Sequence, residues 1–314
     1  MQTSAHVFTF LFSTAIVWFF AGMLIESVDR VAKRFHKTGF SVAFFVLGVL
    51  TSLSEISVAI NATIDRVPQV SVGNLVGASF VVLLFIIPFL AIGGNGINLK
   101  HTISKSNMML AWAVIVLPAF LVIDGHVTRI DGITALIAYS WLIRAIHRQR
   151  ELKKVSGNVL EQKGALLLDA LKIVIGAGAI FIAGRFLVEQ AVYFSVLLDV
   201  PSSLIGLILL SVGTNVPEFV IAARSILKKH KDIAFGDYIG SAAANTPIFG
   251  LLALMNGGFL LEPSQFFITT VLMVIGLFSI NLFARTRGTI SRKEGLVLIL
   301  FYVVFLLVQL ASIV

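Results

Sequence analysis

The sequence predicts an all-α membrane protein in which ten transmembrane helices form two inverted repeats of five helices each. Three observations support this fold class: an apolar composition, apolar runs that recur from end to end, and an internal repeat with an offset of 163 residues. Of the 314 residues, 58% are hydrophobic and 13% are charged, whereas a soluble domain carries roughly 25% charged residues. The apolar runs have about 20 residues each, which is the length that spans a hydrocarbon core.

Glycine, proline, asparagine and aspartate separate these runs into predicted spans. The ten spans cover about residues 6–27, 39–63, 70–92, 107–124, 130–147, 165–192, 201–226, 233–257, 264–284 and 295–313. The first run lacks a basic start and continues into Glu26 and Asp29, so we interpret it as a retained helix and not as a cleavable signal. A hydrophilic linker at 148–163 is predicted to join a first repeat, 1–147, to a second repeat, 164–314.

Two polar motifs carry the internal repeat. The offset aligns Thr51, Ser52 and Glu55 with Thr214, Asn215 and Glu218, and it aligns Gly73-Asn74-Leu75-Val76-Gly77 with Gly236-Asp237-Tyr238-Ile239-Gly240. Matches at such distant points in one register, without a gap, indicate a duplicated chain. The paired glycines at a spacing of four residues are typical of close helix packing.

The distribution of Lys and Arg predicts the orientation in the membrane. Of the 24 basic residues, 21 lie in or beside the odd-numbered connections, so the positive-inside rule places these connections in the cytoplasm and both termini outside. Because each repeat has five spans, the second must enter from the opposite side, as in many secondary transporters with a binding site at the midplane. The basic residues form no stripe interleaved with aromatic residues, so we expect a lipid bilayer as partner and no nucleic acid.

Glu55 and Glu218 lie inside the second and seventh predicted spans. A charge at mid-bilayer costs about 2.5–3.5 kcal/mol on insertion scales, and the nearest basic residue, Arg224, is on a different helix face from Glu218. One interpretation is a pair of protonated structural carboxyls that hydrogen-bond neighbouring helices. The other, which we favour, is a cation site between two repeat-related carboxylates, whose mutual repulsion would make protons competitors for the site.

The residue types around the two glutamates predict a site made of oxygen atoms. Helical spacing places hydroxyl and amide side chains on the face of each glutamate, and hard cations take such oxygens, with roughly 6–8 ligands for Ca²⁺. Gly48, Gly213 and Pro217 predict local breaks that free backbone carbonyls as further ligands. The predicted metal-binding residues are Glu55, Glu218, Thr51, Ser52, Thr214, Asn215, Ser241, Asn245, Asp237 and Asn74.

Spans three and eight supply a second polar set that is unequal between the repeats. Asn74 and Ser79 lie in span three, and span eight contains Asp237, Ser241, Asn245 and Thr246. The repeat counterparts of Ser241 and Asn245 are Ala78 and Val82. This part of the predicted site is therefore polar in one repeat only.

The segment Gly213-Thr214-Asn215-Val216-Pro217-Glu218, followed by Gly236-Asp237-Tyr238-Ile239-Gly240-Ser241, resembles the α-repeat of the sodium/calcium exchanger family, in the cation/Ca²⁺ antiporter superfamily. The first copy, Leu50-Thr51-Ser52-Leu53-Ser54-Glu55 with Gly73 to Ser79, matches less well. The resemblance implies alternating-access antiport of Ca²⁺ or a similar cation against Na⁺ or H⁺, without a cofactor. It implies Glu55 and Glu218 as central ligands, with coordinating positions at Thr51, Ser52, Thr214, Asn215, Ser241 and Asn245.

The sequence departs from the family pattern at several of these positions. Leu50 stands for a glycine, Ser54 for a proline, Asn215 and Ala78 for serines, and Val82 for an asparagine found in many members. Asp237 replaces the usual asparagine and adds a carboxylate, which would serve either as a compensating ligand or as a proton carrier. The lost oxygens at Ala78 and Val82 motivate one alternative, a non-transporting membrane scaffold or sensor. A cation channel is a further alternative.

Motifs of other function classes are missing from the sequence. There is no nucleotide-binding loop, no Gly-x-Ser-x-Gly and no zinc motif. We therefore expect a transporter that is not driven by ATP and is not an enzyme. The sequence predicts no oligomeric state.

Overall fold

The structure, a computed structural model, describes residues 2–33, 48–98, 104–151, 166–216, 231–261 and 263–311, together with 218–219, 222–223 and 226. Within these ranges the chain is helical apart from turns and four strands of two residues each. The strands are β1 (Ile97–Asn98), β2 (His126–Val127), β3 (Phe259–Leu260) and β4 (Thr289–Ile290).

Within the described residues, each of the ten predicted spans coincides with a helix or with a broken helix, which confirms the all-α fold class; residues 39–47 of the second predicted span lie outside the described part. The helices of the first repeat are α1 (Gln2–Lys33), α2 (Gly48–Thr51), α3 (Leu53–Ile64), α4 (Pro68–Val81), α5 (Ile87–Gly93), α6 (Lys105–Leu121) and α7 (Arg129–Glu151). Those of the second repeat are α8 (Leu166–Leu198), α9 (Ser202–Ile205), α10 (Ser211–Thr214), α11 (Lys231–Asn256), α12 (Pro263–Arg287) and α13 (Arg292–Ala311). Two π-helical segments, π1 (Val82–Ile86) and π2 (Gly206–Leu210), join α4 to α5 and α9 to α10.

The bounds of several elements differ from those predicted. α1 and α8 have 32 and 33 residues and are about 50 Å long at 1.5 Å per residue, so both extend beyond the predicted spans 6–27 and 165–192. α7 continues to Glu151 and thus into the predicted linker, while residues 152–165 lie outside the described part. In that part, six helical stretches are individually long and apolar enough to cross a membrane.

Two short antiparallel pairs of strands connect the repeats to each other. β1 pairs with β4, with Ile97 opposite Ile290, and β2 pairs with β3, with His126 opposite Leu260. Adding the offset of 163 to the residue numbers of β2 gives those of β4, so β2 and β4 are repeat-related strands. The repeat symmetry therefore relates one strand pair to the other. This relation agrees with an inverted repeat. We call these pairs the β-clips.

The most buried elements are the central ones. Every residue of α4 except Gln69 is buried, as are residues 235–246 of α11. The long helices α1, α8, α12 and α13 instead carry many exposed apolar side chains, such as Phe8, Phe19, Phe186 and Phe278. In a membrane protein such residues face the lipid, so the central spans are enclosed by protein on all sides.

Glycine allows α4 to cross the π2 region at backbone contact. A Cβ at Gly73 would lie 1.9 Å from the carbonyl oxygen of Ser203, and one at Gly206 would lie 2.2 Å from that of Val70. Gly77 meets the carbonyl oxygen of Leu207 in the same way, at 2.2 Å. The packing role predicted for Gly73 and Gly77 is therefore confirmed.

Candidate cation-binding site

The second and seventh spans are each interrupted at one residue, and the two interruptions are repeat-related. Helix α2 ends before Ser52, which has φ −77° and ψ 7°, and α10 ends before Asn215, which has φ −90° and ψ 7°. The side chains of both residues donate hydrogen bonds of 2.7 Å to carbonyl oxygens four positions earlier, at Gly48 and Ser211. Such bonds compete with the helical ladder. The predicted breaks are therefore confirmed, although Pro217 lies outside the described residues.

Glu55 and Glu218 are both buried at these interruptions, with 1% and 0% of their surface exposed. Ser54 Oγ donates to Glu55 Oε2 at 2.8 Å, and Ser241 Oγ donates to Glu218 Oε1 at 3.1 Å. The other oxygen of each carboxyl group has no hydrogen-bond partner. The two carboxyls lie within electrostatic range of each other, and among the described residues no Lys or Arg forms an ion pair with either.

Hydrogen bonds between the repeats hold the site together. Ser52 Oγ lies 3.4 Å from Ser241 Oγ. Thr214 Oγ1 donates to Asn74 Oδ1 at 3.1 Å, and Ser54 Oγ approaches the carbonyl oxygen of Thr214 at 3.3 Å. The site thus lies where the two repeats meet, as expected for an inverted repeat.

All ten predicted ligand residues are buried, with at most 2% of the surface exposed, but they are not equivalent. Asn245 Nδ2 donates to Ser79 Oγ at 3.0 Å and forms no hydrogen bond to either glutamate. Thr51 and Ser52 donate to the Gly48 carbonyl oxygen at 3.4 Å and 2.7 Å. This is the common role of hydroxyls in helices, and it leaves the lone pairs of both hydroxyl oxygens available as ligands.

Asp237 is completely buried in α11, and neither of its carboxyl oxygens has a hydrogen-bond partner of good geometry. The hydroxyl of Thr51 faces this carboxyl. Asp237 also lies within electrostatic range of Glu218. The sequence prediction that Asp237 belongs to the site agrees with this placement.

Six buried oxygen atoms in this region lack partners: Glu55 Oε1, Glu218 Oε2, Asp237 Oδ1 and Oδ2, Asn215 Oδ1 and Asn245 Oδ1. Each such atom costs about 1–3 kcal/mol when it is buried without a partner. Oxygen atoms of these kinds are the ligands that hard cations take. The described residues contain no group of three His, Cys, Asp or Glu side chains placed to hold a metal ion. A cation site here would therefore need amide, hydroxyl and carbonyl oxygens in addition to the carboxylates.

The apolar side of the site is as the sequence predicts, because Ala78 and Val82 are both fully buried. Val82 is the first residue of π1, and π segments inside α-helices are frequent at functional sites. Ser79, beside Ala78, points its hydroxyl at Asn245. The Ser79 hydroxyl thus links the first repeat to Asn245 of the second repeat.

Sequence reasoning missed the role of Ser54, which it treated only as a replacement for proline. Besides its bond to Glu55, Ser54 Oγ lies 3.2 Å from the carbonyl oxygen of Thr51. Residues adjacent in sequence do not face each other on a regular helix. The available signal was the predicted break, since Ser54 lies in the first turn after it.

We expect Ser54→Ala to lower the apparent affinity of the candidate site for a hard cation, with Ca²⁺ as the probe, by about tenfold, because a hydrogen bond to a charged group contributes about 1.5–3 kcal/mol. Without it the Glu55 carboxylate loses the contact that orients it. The measurement is Ca²⁺-dependent thermal stabilisation of the purified protein. Ser279→Ala is the matched control, because Ser279 Oγ is exposed and bonds only its own helix at Ile275; equal effects of both variants would contradict the assigned role.

Comparison with known proteins supports a single family. The family model described as "Sodium/calcium exchanger protein" matches residues 5–145 and 169–311. The chain is 25% identical to "Sodium/calcium exchanger MaX1" of Methanosarcina acetivorans, covering 90% of this chain and 92% of that protein. It is 22% identical to "Putative antiporter CaxA" of Alkalimonas amylolytica over an alignment that covers 95% of this chain and 96% of that protein. A solved structure of the sodium-calcium exchanger NCX_Mj, soaked with Na⁺ and Sr²⁺, has the same fold, with a TM-score of 0.70 and 21% identity. The match covers 96% of this chain and 97% of that chain.

Proposed function

Since the chain belongs to the sodium/calcium exchanger family, we propose that this cation antiporter exchanges Ca²⁺, or a cation of similar size and charge, for Na⁺ or H⁺. The family consists of multi-pass membrane transporters and not of enzymes. A relative named as a sodium/calcium exchanger supports the ions proposed, and one named as a putative antiporter supports antiport. No cofactor is required, because the ions are the substrates.

The observation that carries this proposal is the pair of repeat-related glutamates. Glu55 and Glu218 are buried, each has one unpartnered oxygen, and each adjoins a break in its span. A structural pair of protonated carboxyls would be expected to use its oxygens and hydroxyls in mutual or neighbouring hydrogen bonds. Unpartnered oxygens at both carboxyls instead favour an ion that binds and leaves.

The remaining predicted residues would complete the ligand shell. Asn215 Oδ1 is unpartnered beside Glu218, and the hydroxyl oxygens of Thr51 and Ser52 retain lone pairs. A bound Ca²⁺, or monovalent cations, would neutralise the two carboxylates. A protein with an empty site and two charged glutamates should resist the change between outward and inward access, because moving bare carboxylates through a dry intermediate is costly. This cost would couple the movement of the two ions and would prevent a leak of either ion alone.

Reconstitution into proteoliposomes tests the proposal. We expect saturable Ca²⁺ uptake that depends on an outward gradient of Na⁺ or of protons, and comparison of the two gradients identifies the coupling ion. Absence of flux under every gradient, together with absence of ion-dependent thermal stabilisation, would instead support a scaffold or sensor. Flux that does not saturate and needs no counter-ion would support a channel.

We also propose that the protein lies in a plasma or inner membrane, as the name of the relative "Inner membrane protein YrbG" of Escherichia coli supports, and that both termini are outside, as the Lys and Arg distribution supports. The chain has no cysteine, so single cysteines can be introduced as labels. A membrane-impermeant thiol reagent should modify Asp124→Cys in intact cells. It should modify Lys293→Cys only after the cells are permeabilised, and the reverse pattern would invert the topology.

A further inference from the structure

We propose that the ring of Phe219, packed against Phe85 and Phe89, closes the candidate cation site on the side of the β1–β4 clip, and that ions reach the site from this side only when Phe219 separates from α5. The inference rests on the proposed function, because an antiporter needs a closure on each side of its site. It gives a role to a residue that is not among the predicted ligands.

The first argument is the set of ring contacts beside Glu218. Phe219 directly follows Glu218 in the seventh span. The centroid of its ring lies 4.6 Å from that of Phe89 and 6.0 Å from that of Phe85, with which it is stacked at an interplanar angle of 11°. Phe85 in turn lies 5.3 Å from Tyr302 of α13. Ring pairs at such distances attract each other beyond the burial of their apolar surface. We call these four residues the ring cluster.

The second argument is the position of the ring cluster. Phe89 contacts Phe219, and four residues further along α5 a Cβ at Gly93 would lie 2.6 Å from Cδ1 of Ile226. The third and seventh spans therefore run past each other in the same direction. α5 ends at Gly93, four residues before β1 begins. The ring cluster thus lies between Glu218 and the end of the bundle that carries the β1–β4 clip.

The third argument is that the repeat-related positions on the other side of the site carry no rings. Adding or subtracting the offset of 163 relates the three phenylalanines of the ring cluster to aliphatic residues: Ile56, Ile248 and Leu252. Phe85 lies in π1, whereas the repeat-related residues 245–249 lie within α11. The two sides of the site therefore differ in their side chains, although the repeats are related.

A second repeat-related contact differs in the same sense. The apolar contact of Gly93 with Ile226 corresponds to a polar one, in which Asn256 Nδ2 donates to Thr63 Oγ1 at 3.1 Å. Water can replace a hydrogen bond between side chains at a small net cost, whereas an apolar constriction excludes water. Water and ions are therefore held back on the β1–β4 side by apolar packing, and we expect loss of ring bulk to open that side selectively.

The experiment measures from which side of the membrane a thiol at the site can be reached. The chain has no cysteine, so Ala78→Cys places a single thiol at the repeat counterpart of Ser241, a fully buried position that is not a predicted ligand. Vesicles of both orientations are treated with a small membrane-impermeant thiol reagent. The side from which Lys293→Cys is modified defines the β1–β4 side, because Lys293 follows β4 by three residues.

We expect Phe219→Ala to raise the rate of thiol modification from the β1–β4 side by at least about tenfold, as for the loss of two ring contacts. The rate from the other side should not rise. Phe219→Leu keeps an apolar side chain and should restore most of the closure. Phe89→Ala should act in the same direction by a smaller factor, and it keeps the test decisive if Phe219→Ala does not fold.

Two matched controls carry the same thiol. Ile56→Ala truncates the side chain that is repeat-related to Phe219, and it should leave the rate from the β1–β4 side unchanged. Phe278→Ala removes a ring that is 66% exposed and faces the lipid, and it should change neither rate. Size-exclusion profiles check the folding of every variant.

The outcomes separate the closure from the function on which it rests. An unchanged rate from the β1–β4 side in both Phe219→Ala and Phe89→Ala overturns the closure. An equal rise from both sides shows a general loosening and likewise overturns it. Either result leaves the proposed antiport intact if the wild type takes up Ca²⁺ under a gradient. A one-sided rise in a protein that transports no ion supports the closure and contradicts the antiport.

Discussion

Glu55→Gln and Glu218→Gln are each expected to reduce gradient-driven Ca²⁺ uptake in proteoliposomes by at least about a hundredfold. Removing one partner from a buried charged site costs about 3–5 kcal/mol, which corresponds to a factor of roughly 10² to 4 × 10³ in affinity. Glutamine keeps the size of the side chain, so both variants should fold and insert. Uptake is measured at Ca²⁺ concentrations below and above the wild-type half-saturation point, with size-exclusion profiles as the check on folding.

Glu189→Gln is the control for this experiment. Glu189 is exposed and forms an i, i+4 ion pair with Arg185 at 3.2 Å, and exposed pairs of this kind contribute little. It should transport like the wild type. Normal transport by either central variant would show that the cation site lies elsewhere, and equal loss in all three variants would indicate a general effect of charge removal.

Gly73→Ala is expected to destabilise the protein by about 3 kcal/mol or more, at or above the top of the range for overpacking. The new Cβ would lie 1.9 Å from the Ser203 carbonyl oxygen, and a backbone atom cannot move aside as a side chain does. α4 would have to separate from the α9 and π2 region. Because Asn74 follows Gly73 and contacts Thr214, we also expect weaker cation binding.

The measurement for Gly73→Ala is the midpoint of thermal unfolding in detergent. Gly178→Ala provides the matched control, since no atom lies within 4 Å of the Cβ that would be added. Alanine is favoured over glycine inside a helix by roughly 0.8–1 kcal/mol, so this variant should be neutral or slightly more stable. Similar midpoints for both variants would contradict the close crossing of the two elements.

The parts of the fold and site that were predictable depend on strong local signals. Ten apolar spans follow from composition, and the pairing of Glu55 with Glu218 follows from an ungapped internal repeat. The break at Ser52 was predictable from nearby glycine and from polar residues that compete with the helical ladder. The ends of α1 were not, because the charged residues near Asp29 continue the helix beyond the apolar run.

Other features depend on tertiary contacts and leave no mark in a single sequence. Strands of two residues are too short to show an alternating pattern. π1 lies in the run Val82-Leu83-Leu84-Phe85-Ile86, which looks like any apolar helix. The contacts of Ser79 with Ala242 and Asn245 arise only when the other repeat is placed against it, so its place beside the site needed the structure.

Under the antiport that we propose, the β-clips limit how the two repeats can move relative to each other. Each clip joins one strand of the first repeat to one of the second, and repeat symmetry places the clips at opposite ends of the bundle. The two clips therefore link α5, α6 and α7 of the first repeat to α11, α12 and α13 of the second. A hinge motion between the two repeats as rigid bodies would have to break the strand pairing in both clips. Among the described elements, α1 and α8 border neither clip. In the antiport that we propose, a displacement of these two long helices would leave both β-clips intact.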